Sequence, residues 1–320
     1  MAGNDGRAVT SAAGHARVQH IADLLAACRK SFYETVGDFH WTPVSGSFAD
    51  DVATTLPSPD PLLSNPRLET GYRLINHAVQ THLQTGAGLL GALGALYETG
   101  EVFAAPGSVV RGSLESVARV FWILGDRNDH PEQLLARAYL EEFLSAEEAK
   151  TAAGRMGGKA SAPYVARARM WSELRTDILH RFPGATKDDI DKKDGRNLAG
   201  ECLISPSGGV TSMFGLLERE VGATVTARMA LGMYDFLSNS THPTLYPSRQ
   251  RRVWIEHPDH PRERLALERI DLGLVRKQAT APILAYYNAL TYVTSYFGWP
   301  SYVYDALRTQ INTTLPGTLA

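Results

Sequence analysis

Apolar residues recur at helical spacing along most of this chain. From His15 to Phe39, the side chains of Val18, Ile21, Leu24, Leu25, Cys28 and Phe32 fall on one face, and neither Gly nor Pro occurs until Gly37. A period of about 3.6 residues predicts an amphipathic helix. The same pattern predicts helices over 69–99, 108–125, 131–154, 163–180, 212–241 and 271–297. Small residues along 69–99 permit close helix contacts. The run 41–68 holds Pro43, Pro57, Pro59, Pro61 and Pro66 and predicts a loop with room for a short turn of helix. Residues 182–212, rich in Gly, charge and turn formers, predict a long surface loop. Around 250–270, RRVWIEHPDHPRERLALERID alternates on both sides of a Pro-rich turn and predicts a hairpin.

The expected architecture is therefore all-α. A single domain over 13–320 forms a bundle of about seven to nine helices with a small irregular or β-hairpin insert. Residues 1–12, small and polar, are expected to be disordered.

Composition narrows the function. The 320 residues are 44% hydrophobic, enough for a sizeable core. A net charge of −2 gives no global attraction to nucleic acid or anionic lipid, so any such contact needs a local patch. Mean hydropathy is −0.19. No run of about 18 apolar residues could span a membrane. The first twenty residues lack the apolar stretch of a signal peptide. Cys28 and Cys202 lack zinc or redox spacing and read as reduced thiols. The expectation is a cytoplasmic protein with no membrane partner and no cofactor.

Two predicted helices carry the candidate chemistry. Over 111–124, at about 100° per residue, Arg111, Glu115, Arg119 and Trp122 share one arc, and apolar residues cover most of the rest. That helix is central, and its polar line is either an ion-pair ladder or the wall of a cleft. Over 228–243, Arg228, Asp235, Ser238, Asn239 and His242 share an arc. His242 precedes Pro243, where the helix must end, and a helix C-terminus favours the protonated imidazole.

The leading expectation joins the two helices into one polar site. His242 and Glu115 perform acid/base chemistry, Arg111 and Arg119 bind an anionic group, Asp235 and Ser238 support His242, and Tyr234 contacts substrate. RNA, tRNA or a nucleotide-like anion would be the substrate. A second expectation is a non-catalytic interaction or structural protein, with Arg111–Glu115–Arg119 as an interhelix ion-pair network and His242 as a cap. A third is an accessory enzyme of secondary metabolism, transferase or cyclase-like, with the tyrosines of 286–304 as a pocket wall. A homodimer is compatible with each.

Other patterns are weaker. Glu173, Asp177 and His180 share a helix face at metal-ligand spacing, but no second helix completes a di-iron set. DDIDKKDG at 188–195 departs from the calcium-loop template at Lys193 and Gly195. His257 and His260 flank a Pro-rich turn. Arg249, Arg251 and Arg252 form a short basic cluster beside Trp254. GRMGGK at 154–159 lacks the spacing and Ser/Thr of a phosphate loop.

One resemblance adds to this reading. From His82, HLQTGAGLLGALGALYETGEVFAAPGSVVRGSLESVARVFWILGD is followed by a helix end carrying Tyr234, Leu237, Ser238 and His242. The Arg111, Glu115, Ala118, Arg119, Trp122 and Leu124 pattern, with that helix end, resembles actinobacterial helical proteins of unknown function over roughly 72–248. These are distantly similar to the helical-bundle HEPN domains, which implies a bundle fold and allows RNA or nucleotide chemistry. HEPN ribonucleases place an Arg and a His a few residues apart on one late helix. Here His242 lacks such an Arg, and Arg175 and His180 have the spacing on an earlier helix.

Overall fold

A computed structural model of the chain describes residues 12–319, apart from 64–68, 104, 127, 193–194, 224, 242–244, 246–248, 250–251, 261 and 269–271. It is an all-α bundle with two small antiparallel hairpins. The described helices are α1 (Ala12–Phe39), α2 (Phe48–Thr55), α3 (Tyr72–Glu98), α4 (Pro106–Leu124), α5 (Pro131–Gly157), α6 (Ala162–Arg181), α7 (Lys187–Asp191), α8 (Pro206–Val221), α9 (Ala227–Thr241), α10 (Leu272–Phe297) and α11 (Tyr302–Thr314). The hairpins are β1 (Asn197–Leu198) with β2 (Glu201–Cys202), and β3 (Arg252–Glu256) with β4 (Arg264–Glu268).

Eleven described helices exceed the expected seven to nine, for local reasons. The predicted 212–241 helix is two, because Gly222 adopts a left-handed φ of 66° that closes α8. Ser47 and Thr186 cap the short helices α2 and α7 inside segments expected to be loops. The segment 182–212 is also pinned rather than open. Ile190, Leu198 and Arg196 are buried, and Arg196 pairs with Glu147 of α5 while its Nε donates to the Lys192 carbonyl at 2.8 Å. The expected disorder of the first residues falls on 1–11, outside the described residues.

The core is organised around α3 and α4, with α1 on the far side of α3 and α10 packed against α4, α1 and α3. Close approach along α3 depends on glycine. A Cβ on Gly86 would meet the Val117 side chain of α4 at 2.7 Å, and one on Gly94 would meet the Ala22 carbonyl of α1 at 3.0 Å. The tyrosine-rich end is mostly core: Tyr286, Phe297 and Trp299 are buried, and Trp299 Nε1 donates to the Thr42 carbonyl at 2.8 Å. Phe297 and Trp299 stack with ring centroids 4.4 Å apart.

No residue of α4 is exposed. The helix is covered by α3, α10, α8, α9 and, more lightly, α5. Among the described residues, no helix is long and apolar enough to cross a membrane.

The glycine contacts give a paired test by urea denaturation. Gly94→Leu should lower stability by about 1–3 kcal/mol through overpacking. Gly88→Ala, on the same helix with open space at its Cβ position, should be neutral or stabilise by up to about 1 kcal/mol. Equal losses at both positions would mean that α3 does not approach α1 closely.

Candidate functional site

No residue of α4 is exposed, and its three charged residues, Arg111, Glu115 and Arg119, are half-buried and find partners inside the protein. Arg111 finds three. Its Nε donates to Glu115 Oε1 at 2.8 Å, Nη2 to the Tyr234 hydroxyl at 2.8 Å, and Nη1 to Thr241 Oγ1 at 2.6 Å. The Tyr234 hydroxyl in turn donates to Glu115 Oε1 at 2.7 Å, closing a ring of Arg, Glu and Tyr. The guanidinium carbon lies 4.8 Å from the centre of the Tyr234 ring. The Thr241 hydroxyl donates to the Ser238 carbonyl at 2.9 Å.

Local sequence explains this meeting. Arg111 and Glu115 are one turn apart on α4, which places them side by side. Gly107 and Ser108, a turn earlier, let the end of α9 lie close. A Cβ on Gly107 would strike the Ser240 side chain at 2.4 Å, and Ser108 Oγ donates to the Ser240 carbonyl at 3.1 Å. Tyr234 is buried and aims its hydroxyl at α4 from the middle of α9.

Burial and the Glu115 carboxylate raise the Tyr234 hydroxyl pKa above its ordinary value of 10, against the opposing pull of Arg111. Burial disfavours the Arg111 cation, but the bonds to Glu115 and Tyr234 outweigh it, and its pKa stands above the ordinary arginine value.

The other predicted site residues are not in this ring. Arg119 turns away and pairs with Glu141 of α5 at 2.5 Å, and His82 Nε2 of α3 lies 3.5 Å from the other oxygen of that carboxylate. Eight residues separate Arg111 from Arg119, a rotation of roughly 80° and a rise of roughly 12 Å, so the two face different neighbours. Asp235 is exposed. Ser238 Oγ donates to the Tyr234 carbonyl at 3.0 Å, a bond within α9. His242 lies outside the described residues, as do the Pro243 end signal and Arg251 of the basic cluster. Arg175 pairs with Asp191 at 2.9 Å, whereas His180 is exposed. No group of three His, Cys, Asp or Glu suited to a metal occurs among the described residues.

Pattern reading did not single out Thr241 or the pairings of α5. Along α5, Glu132 takes Arg181 at 2.6 Å, and Arg181 also pairs with buried Asp60 at 2.8 Å. Gln133 and Arg137 both reach Glu201 of β2, at 2.8 Å and 2.7 Å, and Arg137 also pairs with Asp129 at 2.6 Å. Burial opposes the Glu201 charge, but Arg137 and Gln133 hold its carboxyl below the ordinary value. The one signal in the sequence is the set of acidic residues on 131–154, among them Glu141, Glu142, Glu147 and Glu148. Their partners are distant in sequence and left no pattern.

Among the described residues, three cavities lie elsewhere. One of 220 Å³ is bordered by Trp122, Asp126, Arg137, Glu201 and Arg219. A second, of 240 Å³, has Tyr292 and Tyr296 on its wall with Phe48 and Asp126. The third, of 340 Å³, is bordered by Arg181, Asp189 and Asn197. None of these three is lined by Arg111, Glu115 or Tyr234. Comparison with known protein families, curated proteins and solved structures finds no match.

The raised Tyr234 pKa fixes a pH dependence. A hydroxyl whose folded pKa exceeds its unfolded value stabilises the fold fully below the unfolded value, and that contribution is lost as pH rises through the folded one. The wild type should therefore exceed Tyr234→Phe in stability by about 1 kcal/mol near pH 8. That margin should shrink towards about pH 11. Urea denaturation of both proteins at the two pH values checks this, and a margin that grows with pH would contradict the geometry.

Proposed function

We propose that this chain is a non-catalytic interaction protein in which the Arg111–Glu115–Tyr234–Thr241 ring is a clamp holding α9 against α4. One observation carries this reading: each of the three Arg111 nitrogens donates to a partner within the protein. Three of its five N–H groups are thereby committed, and its charge is balanced by Glu115 rather than held for an incoming anion. Arg119, the second cation expected to hold that anion, sits apart on Glu141. Neither arginine shares a site with the other.

The clamp has a mechanical role. The buried residues of α9 are Ala230, Tyr234 and Leu237, a narrow apolar footprint for fifteen residues. Charge-assisted bonds to the guanidinium supply what that footprint lacks. The β3–β4 hairpin follows α9 in sequence. In this reading the protein is a rigid helical body displaying a surface, and its partner is a macromolecule, with a second copy of the chain among the candidates.

The rival is acid/base chemistry on RNA, tRNA or a nucleotide-like anion, of the kind a HEPN-like bundle could perform. It requires Arg111 to leave Glu115 for the ligand. Thermal unfolding of wild type and Arg111→Ala against nucleotides, short RNA and tRNA separates the two. The interaction reading expects no ligand-dependent rise in Tm for either protein, and a loss of about 1–3 kcal/mol in Arg111→Ala from the orphaned Glu115 and Tyr234. A ligand that raises the wild-type Tm but not that of Arg111→Ala would replace the clamp with an anion site.

A further inference from the structure

The β3–β4 hairpin is exposed at every position of β3. Among the described residues its two strands pair only with each other, in the register Arg252 with Glu268, Trp254 with Ala266 and Glu256 with Arg264. Alternation places Val253, Ile255 and Leu265 on one face, 45%, 39% and 37% exposed, and Trp254 on the other, 57% exposed. A lone two-stranded hairpin is marginal in water. Among the described residues no strand pairs with the outer edge of β3, and its five residues include no Lys or Pro to blunt it.

The strand is also its own charge complement. β3 reads Arg-Val-Trp-Ile-Glu. Laid antiparallel against a copy of itself with Trp254 at the two-fold axis, Arg252 faces Glu256 of the copy at both ends. Val253 then faces Ile255 of the copy on one face, and the two Trp254 rings meet on the other. Opposite-charge, aromatic and β-branched cross-strand pairs are those that stabilise a sheet. Parallel pairing in the same register would set Arg252 on Arg252 and Glu256 on Glu256.

We propose that β3 pairs antiparallel with β3 of a second copy of this chain, making a four-stranded sheet of order β4-β3-β3-β4 across a two-fold axis. The proposal rests on the interaction-protein reading and names its partner. The contact is isologous, so it closes as a dimer rather than growing into a fibre. A pair of five-residue strands is smaller than a standard interface of about 1,600 Å², so the dimer dissociates on dilution.

Register-specific crosslinking in the full chain tests this, in a Cys202→Ser background because Cys202 is exposed and Cys28 is buried. Trp254→Cys places two thiols directly opposite at the axis, about 4.5–5.5 Å apart at Cβ. Glu256→Cys leaves its copies roughly 13 Å or more apart along the strands. Mild oxidation should convert Trp254→Cys, and not Glu256→Cys, to a species of about twice the mass. Sedimentation of the wild type should show a mass that rises towards two-fold with concentration.

Equal crosslinking at both positions would indicate random collision and overturn the proposal. Crosslinking of Val253→Cys or Ala266→Cys in place of Trp254→Cys would overturn it in favour of face packing or β4 pairing. A wild type that stays monomeric at its highest soluble concentration would also overturn it, and would leave the interaction reading to be judged by the ligand panel.

Discussion

Burying α4 on every side is the constraint from which most of this structure follows. Arg111, Glu115 and Arg119 sit on a helix with no exposed residue. An uncompensated charge at such a place costs several kcal/mol. Each of the three must therefore be met by a neighbour, and the neighbours that meet them define the bundle. Glu141 brings α5 to Arg119, and Tyr234 with Thr241 brings α9 to Arg111. Apolar contact alone sets how close helices lie. These few polar pairs select which helix lies at which height along α4, because each is satisfied in one register.

The same logic extends through α5. Glu132, Arg137, Glu141 and Glu147 each take a partner from another element: Arg181, Glu201, Arg119 and Arg196. Two of these partners tie down chain that would otherwise be irregular. Arg181 brings Asp60 and the Pro-rich segment to α5, and Arg196 brings the turn before β1. Segments with little apolar content are thereby ordered by arginine, whose planar fork serves two or three acceptors at once.

How much of this was legible depends on sequence distance. Helices read from local period emerged within a few residues of their predicted bounds, as with α4 at Pro106–Leu124 against 108–125. The pairing of Arg111 with Glu115 is a one-turn neighbour relation and was visible. Its partners Tyr234 and Thr241 lie more than a hundred residues away, and nothing in the period of either helix says which faces meet. The angular arc misplaced Arg119 for a definite reason. A helical wheel discards the rise along the axis, about 12 Å from Arg111 to Arg119, and a wide arc also spans roughly 80° between them, so residues that share an arc on paper can serve two neighbours. Gly222 divided one predicted helix into two, since apolar period runs through a left-handed cap without a mark.

The way α9 is held bears on the proposed interaction role of the hairpin that follows it in sequence. A helix that shares a broad apolar face with the core passes that anchorage to the chain that follows. Here three residues are buried, with Met233 packed beside them, and one guanidinium meets two hydroxyls, one mid-helix and one at its end. Such bonds are directional. They set the orientation of α9 without covering the segment after it. The hairpin thus leaves the bundle with its apolar residues in water, Val253, Ile255 and Leu265 on one face and Trp254 on the other. Natural edge strands that serve no contact are blunted by charge or proline. In β3 the two charges stand at opposite ends with opposite signs, an arrangement that repels few partners in general and matches its own reverse.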